Sequence, residues 1–155
     1  SHSRGHEKNF YNVGSMGHAN AIGLEIALQS KLTVFILDGD GAMIMHMGSI
    51  ATIGYYQPQN LTHIIFDNKS HESTGGQPTV STCLDIPKIL KGCNYKNVSY
   101  IQSEKDLFNI LTKNQKGLKG LVVATKNGSR SDLGRPDDSP QKTKVRFMES
   151  ITNEK

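Results

Sequence analysis

Two short segments carry the residue types best suited to chemistry. The first is Asp38-Gly39-Asp40-Gly41-Ala42. Glycines on both sides of a carboxylate let the backbone turn tightly, and a helix that follows offers unpaired N–H groups to an anion such as phosphate. Asp40 is then placed to hold a cation that bridges phosphate oxygens. Mg²⁺ commonly takes only one or two carboxylates and fills its octahedron with water and phosphate. The second segment is Asp67-Asn68-Lys69-Ser70-His71, with twenty-five residues between Gly41 and Asp67. The side-chain amide oxygen of Asn68 and the backbone carbonyl of Ser70 would complete an all-oxygen set matched to a hard cation. A Gly-Asp-Gly alone is also an ordinary turn, and the second segment at this spacing gives it chemical meaning. His71, Ser73, Thr74 and Gln77 follow directly and can donate hydrogen bonds, with His71 the first candidate for a catalytic role.

The elements that must position these segments alternate. Phe10–Gly14 reads as the end of a strand, running into a helix over Met16–Gln29, where Ala19, Ile22, Gly23, Ile26 and Ala27 recur at three-four spacing. Leu32–Asp38 is a continuous apolar run, as expected of a strand buried on both faces. A second helix is predicted over Ala42–Tyr56, stopped by Pro58, and Leu61–Asp67 is the next buried strand. A polar stretch, Asn68–Ser81, precedes a helix near Ile86–Cys93 and the strand NVSYIQ. Ser103 and Asp106 form a capping box for a helix ending near Gln115. GLVVATK is the last strand, Asn127–Thr143 an irregular arm, and Lys144–Asn153 a closing helix. The whole predicts one α/β domain over residues 1–155, a parallel sheet covered by helices on both faces. Ligands of such sheets bind outside the carboxyl ends of the strands, so Gly14–His18, Gly39–Ala42 and Asn68–Thr74 should cluster.

Composition narrows the function classes. Eighteen basic residues stand against fourteen acidic, a net charge of +4, with no basic run interleaved with aromatics. That suits a small anionic ligand and not nucleic acid. No apolar stretch approaches the roughly 20 residues of a membrane span, and no signal peptide is visible. Cys83 and Cys93 have no metal spacing and read as reduced thiols of a cytoplasmic protein. The chain opens at SHSRGHEKNF without an initiator Met, so an upstream element is expected.

The Gly-Asp-Gly segment followed after about 25 residues by Asn resembles the signature of thiamine-diphosphate-dependent enzymes. By that resemblance Asp40, Asn68 and the Ser70 carbonyl hold Mg²⁺ on the cofactor's diphosphate, and Gly39, Gly41 and Ala42 line it. One position departs: Asp67 stands where the family has the first Asn of a pair, which makes it a structural acid or an added charge near the metal. Gly14-Ser15-Met16-Gly17 resembles the family segment in which a bulky side chain, here Met16, bends the cofactor and a carbonyl, here Gly14, accepts from its 4′-amino group. NVGSMGHA, GDGAMIMHMGSIATIGYYQPQNLTHIIFDN, SHESTGGQPT and SDLGRPDDSP together resemble phosphonopyruvate decarboxylases from about Phe10 to Met148, with sulfopyruvate decarboxylases as near relatives. The resemblance implies the diphosphate-binding fold of that family and decarboxylation of 3-phosphonopyruvate, a small 2-oxoacid, to phosphonoacetaldehyde.

In that family the Glu that activates the cofactor lies in a separate pyrimidine-binding domain, which nothing in this sequence matches; Glu25, inside a helix, is no substitute. The resemblance therefore implies half an active site, completed by a partner subunit or an N-terminal part of the same polypeptide, in a homo- or hetero-oligomer. A dinucleotide-binding module is the rival from another class, since Gly14-x-x-Gly17 opens a helix and Asp38 ends the next strand. There Asn12 stands where the first glycine of the fingerprint belongs, and Asn68 is left unexplained. A regulatory subunit without catalysis would not need Asp40 and Asn68.

Overall fold

A computed structural model describes residues 7–113, 116–129, 131–132, 134, 136 and 138–152. Two compact units emerge, Gly17–Asn127 and a smaller one from Ser1–Met16 with Gly128–Lys155. The larger holds a four-stranded parallel sheet in the order β1-β2-β6-β5, from Val34–Gly39 (β1), Leu61–Asp67 (β2), Asn97–Ile101 (β5) and Lys119–Ala124 (β6). Between β1 and β2 run two helices, Asp40–Met45 (α2) and Gly48–Tyr56 (α3), preceded by Ala19–Gln29 (α1). A two-stranded antiparallel hairpin, Ser70–His71 (β3) with Gln77–Pro78 (β4), lies between β2 and the helix Ile86–Gly92 (α4). Glu104–Thr112 (α5) connects β5 to β6.

Side chains alternate across a strand, and two cores follow from that parity. On one face Val34, Ile36, Leu61, Ile65 and Val122 pack with Leu24, Ile50, Ile53 and Leu90 from α1, α3 and α4. On the other, Ile64, Ile101, Leu121 and Val123 pack with Leu107 and Ile110 of α5. The sheet thus carries helices on both faces, as the alternation predicts. β2, central in the sheet, is buried along almost its whole length.

Several expectations are corrected. β1 is an edge strand with one covered face: Phe35 and Leu37 are 51 % and 61 % exposed. An unbroken apolar run does not reveal that one of its faces lacks a cover. The predicted helix over residues 42–56 is two helices that begin earlier, at Asp40, and break at His46–Met47. There the Ser49 hydroxyl and N–H take the His46 carbonyl, and Gly48 is a poor helix former. The helix expected from Met16 starts at Ala19, because Gly17 holds a left-handed backbone with φ 86°. Phe10–Asn12 form no strand. The polar stretch 68–81 folds as the β3–β4 hairpin, with one short 3₁₀ turn in its loop and a second beginning just after it. Ser103 caps α5 through the Asp106 N–H as expected.

In the smaller unit, helix α6 spans Pro140–Thr152, four residues earlier than predicted, with Ser139 accepting from the Lys142 N–H. Arg146 ties it down by donating to the carbonyls of Glu7 (2.7 Å) and Asn9 (3.1 Å), and Phe147 meets Phe10 edge-on at 5.5 Å.

Candidate functional site

β1 and β2 run parallel in a register that sets Gly39 opposite Phe66. Their carboxyl ends therefore deliver Asp40 and Asp67 side by side, with Asn68 one residue beyond. Asp40 is 1 % exposed, and among the described residues no Lys, Arg or His pairs with it. Its Oδ2 accepts from the Thr79 hydroxyl. The Thr79 and Ser81 hydroxyl oxygens are 2.9 Å apart, and Ser81 donates to Asp67 Oδ1 at 2.9 Å. Thr79, Ser81 and Asp67 are all buried, so a chain of two hydroxyls spans the two strand ends from carboxylate to carboxylate. It is the β3–β4 hairpin that returns Thr79 to this place, held by the Thr79 N–H donating to the Lys69 carbonyl at 3.0 Å.

The Asn68 amide is ordered from both sides: Oδ1 accepts from the Ser70 N–H at 3.1 Å, and Nδ2 donates to Glu72 at 3.1 Å. Ser70 faces Pro78 across the hairpin. Proline has no N–H, so the ladder offers the Ser70 carbonyl no donor from that residue. His71 lies against the turn: a Cβ on Gly41 would sit 2.7 Å from its Cε1 and 2.8 Å from its Nδ1. Gly39 faces open space, and Ala42 is half-buried. Ser73, Thr74 and Gln77 occupy the exposed hairpin tip, where Thr74 donates back to the His71 carbonyl.

Of the third segment, Gly17 and His18 reach this neighbourhood. A Cβ on Gly17 would stand 2.8 Å from the Ala42 carbonyl, and the His18 and His46 rings are 4.2 Å apart. Gly14, Ser15 and Met16 belong to the smaller unit. Gly14 is left-handed (φ 81°), the Ser15 carbonyl accepts from Asn12, and Met16 is exposed. Arg130 and Arg135, whose guanidinium forks would suit a phosphonate, lie outside the described residues, as do His2 and His6.

Behind the turn stands a second buried chain that sequence patterning missed. Asp38 Oδ1 accepts from the Gly39 N–H at 3.1 Å, its Oδ2 lies 3.4 Å from His63 Nε2, and His63 Nδ1 is 3.3 Å from the Tyr95 hydroxyl. Burial pushes the Tyr95 pKa well above its ordinary value, with Cys93 and Asp38 adding to the rise. The phenol therefore stays protonated and can donate to Nδ1, which leaves the Nε2 proton facing Asp38. His63 thus lies buried between Asp38 and Tyr95, its Nε2 beside Asp38 Oδ2 at 3.4 Å without a hydrogen bond between them.

A buried carboxylate without a counter-charge is costly, and a bound divalent cation would remove that cost. Among the described residues no three of His, Cys, Asp and Glu gather around one point. The oxygens available are one carboxylate, one amide and one backbone carbonyl, a hard set that suits Mg²⁺ sharing its shell with phosphate and water.

A parallel sheet with helices on both faces, whose polar groups converge at the carboxyl ends of neighbouring strands, is the architecture of an α/β ligand-binding domain. Comparison with known proteins makes this specific. Residues 3–124 match the family "Thiamine pyrophosphate enzyme, C-terminal TPP binding domain". The chain is 38 % identical over 148 residues to phosphonopyruvate decarboxylase of Streptomyces viridochromogenes, covering 94 % of this chain and 37 % of that protein. It is also 38 % identical over 151 residues to sulfopyruvate decarboxylase subunit beta of Methanocaldococcus jannaschii, covering 94 % of this chain and 78 % of that subunit. A Mycobacterium smegmatis structure described as thiamin diphosphate-dependent shares the fold, with TM-score 0.55 and 24 % identity over 74 % of this chain and 23 % of that one. The chain belongs to the thiamine pyrophosphate enzymes and carries their C-terminal TPP-binding domain. It spans little more than a third of the length of the phosphonopyruvate decarboxylase it matches.

Proposed function

We propose that this chain supplies the diphosphate- and Mg²⁺-binding half of the active site of a 2-oxoacid decarboxylase that converts 3-phosphonopyruvate to phosphonoacetaldehyde and CO₂. The observation that carries the proposal is Asp40: a buried carboxylate with no cationic partner among the described residues, beside an ordered Asn68 amide and the Ser70 carbonyl. These three are the Mg²⁺ ligands. Gly39, Gly41 and Ala42 line the diphosphate, with Gly39 facing open space. Thiamine diphosphate, when bound, supplies the electron sink for loss of CO₂. Gly14 contributes its carbonyl and Met16 its side chain to the cofactor's ring end, with Ser15 between them. His71, the side chain against Gly41, donates a hydrogen bond to substrate.

The rest of the site, including an activating Glu, comes from a pyrimidine-binding domain or subunit, in a homo- or hetero-oligomer. Sulfopyruvate decarboxylase subunit beta shows that a relative can exist as a separate subunit. No helix among the described residues is long and apolar enough to cross a membrane, which accords with a cytoplasmic enzyme.

Calorimetric titration of thiamine diphosphate with Mg²⁺ tests the site. Asp40→Ala removes the one charged ligand and should abolish metal-dependent binding; unchanged affinity refutes the assignment. Equal identity to the two decarboxylases leaves sulfopyruvate as the competing substrate. The assembled enzyme should show the highest kcat/KM for phosphonopyruvate over sulfopyruvate and pyruvate, because buried donors placed for one anion reject analogues that leave them unpaired. A preference for sulfopyruvate assigns the chain to the other reaction.

A further inference from the structure

Asn127-Gly128 is the one Asn-Gly pair in the sequence. It forms a bend just past β6, and both residues are exposed. Among the described residues neither the Asn127 amide nor the Gly128 N–H makes a hydrogen bond. Gly128 holds φ 117°, and a Cβ built on it would meet nothing within 4 Å. The other described asparagines are held in place. Asn9, Asn12, Asn60, Asn68, Asn94 and Asn97 each donate their side-chain amide to an oxygen. Asn20 is buried, and Asn109 lies inside α5, where backbone N–H groups are committed to carbonyls one turn back.

We infer that Asn127 is a modification site, which deamidates spontaneously through Gly128, and that the charge it gains weakens anion binding at the neighbouring strand ends. The Gly128 N–H gives its proton to hydroxide, and the nitrogen attacks Cγ of Asn127. The bond from Cγ to Nδ2 breaks, and Nδ2 leaves as ammonia with a proton drawn from water. Water then opens the resulting five-membered succinimide at either carbonyl, giving aspartate or its β-linked isomer. Water is the sole co-reactant, and nothing is oxidised or reduced. Glycine favours the ring closure, because it has no Cβ to crowd the attack and its backbone turns freely. Either product carries a carboxylate that is ionised at neutral pH.

The new carboxylate lies near the ends of β2 and β6, and its effect on the cofactor rests on the diphosphate site proposed above. Ala124 pairs with Asp67, and the Thr125 N–H donates to the Asp67 carbonyl at 3.0 Å. Two further residues span about 7 Å at most, which sets the charge on the order of 10 Å from the end of β2. Like unit charges about 10 Å apart in water change an affinity about 2-fold. With its metal bound a diphosphate keeps about one to two uncompensated charges, so its affinity should fall about 2- to 4-fold. In about 1 M salt the Debye length shrinks to about 3 Å, and the difference should vanish.

The test incubates the full chain at mildly alkaline pH and follows each asparagine by peptide mass spectrometry. Asn127 should convert first, with the β-linked isomer present among the products. Asn127→Gln keeps an exposed amide but would need a six-membered ring, and it should stay intact. Another asparagine converting faster, or Asn127 persisting while a free peptide of the same sequence converts, overturns the modification site. Thiamine diphosphate with Mg²⁺ is then titrated calorimetrically into fresh protein, aged protein and Asn127→Asp. Aged protein and Asn127→Asp should bind about 2- to 4-fold more weakly than fresh protein in low salt and equally in about 1 M salt. Asn127→Gln should bind alike before and after ageing. Equal affinity of fresh and deamidated protein, or a loss that persists in high salt, overturns the electrostatic effect while the modification stands. Absence of binding by fresh protein removes the proposed diphosphate site and this effect together, and the mass spectrum still decides the modification.

Discussion

Gly41→Ala separates the site's geometry from the fold's stability. In a helix this exchange ordinarily stabilises by about 0.5–1 kcal/mol, and Gly41 has a backbone any residue can adopt. Here the new Cβ would stand 2.7 Å from Cε1 and 2.8 Å from Nδ1 of His71, and 3.2 Å from the Thr79 methyl. Carbon contacts relax at about 3.5–4.0 Å, so the imidazole must retreat by about 0.8 Å and Thr79 by about 0.3 Å. The half-buried His71 ring has no hydrogen bond holding it among the described residues and can swing aside. Overpacking of this kind costs about 1–3 kcal/mol, so after the helix gain the net loss should be about 0–2.5 kcal/mol and the fold should survive.

Function should not survive as well. A misplacement near 1 Å can cost about 10²-fold in rate. The variant should therefore keep a urea transition close to wild type while its turnover, measured in the assembled enzyme, falls by about 10- to 100-fold. Adding His71→Ala should remove most of the stability loss without returning the activity, a non-additive pair. Gly41→Ala with wild-type stability and wild-type turnover would refute both the contact and the placement of His71 in the site.

Three further outcomes are expected. Gly54→Ala should destabilise by at least about 2 kcal/mol despite the better helix former, since its Cβ would meet the Cys93 carbonyl at 1.6 Å and backbone cannot swing aside; a variant at least as stable as wild type in urea would show that α3 and α4 do not touch there. Tyr95, raised by burial, is neutral when folded and ionises only when unfolded once pH passes about 10. Its contribution is thus whole below that pH and is lost above it at up to about 1.4 kcal/mol per pH unit. Tyr95→Phe should flatten that share of the alkaline slope, and an identical slope in both proteins excludes a buried phenol. Finally, the 155-residue chain alone should lack decarboxylase activity, because losing one positioned acid or base costs about 10²–10⁴-fold and a whole facing domain more; full turnover by the isolated chain would contradict a shared site.

What was legible in the sequence was periodic or contiguous. β2 was read to the residue because a central strand buried on both faces leaves an unbroken apolar run, LTHIIFD. β1 carries the same signal, yet its Phe35 and Leu37 face outward; covering is a property of what packs above a strand, and no local pattern encodes it. The break between α2 and α3 was written in His46-Met47-Gly48-Ser49, but three weaker formers, His46, Gly48 and Ser49, inside a long apolar period read as tolerated exceptions until a serine hydroxyl is seen on the His46 carbonyl. Asp40 and Asn68 could be paired because the strand-helix-strand unit fixes where both ends fall.

Thr79 and Ser81 could not be read in the same way. They lie eleven and thirteen residues past Asn68 in a stretch that looks like solvent-exposed loop, and hydroxyl residues are common in such loops. Two features of GGQPTVST nevertheless point back toward the site once the hairpin is considered. Gly75 and Gly76, both left-handed at φ 121° and 79°, turn the chain back on itself. Pro78, lacking an N–H, ends β4 and commits the next residue to a new direction. A hairpin that short must return its far end beside its start, so a threonine one residue past it falls next to Lys69, at the ends of β1 and β2. The departure at Asp67 is the matching half of the signal: an acid at a buried strand end needs a donor, and Ser81 is the one the hairpin delivers.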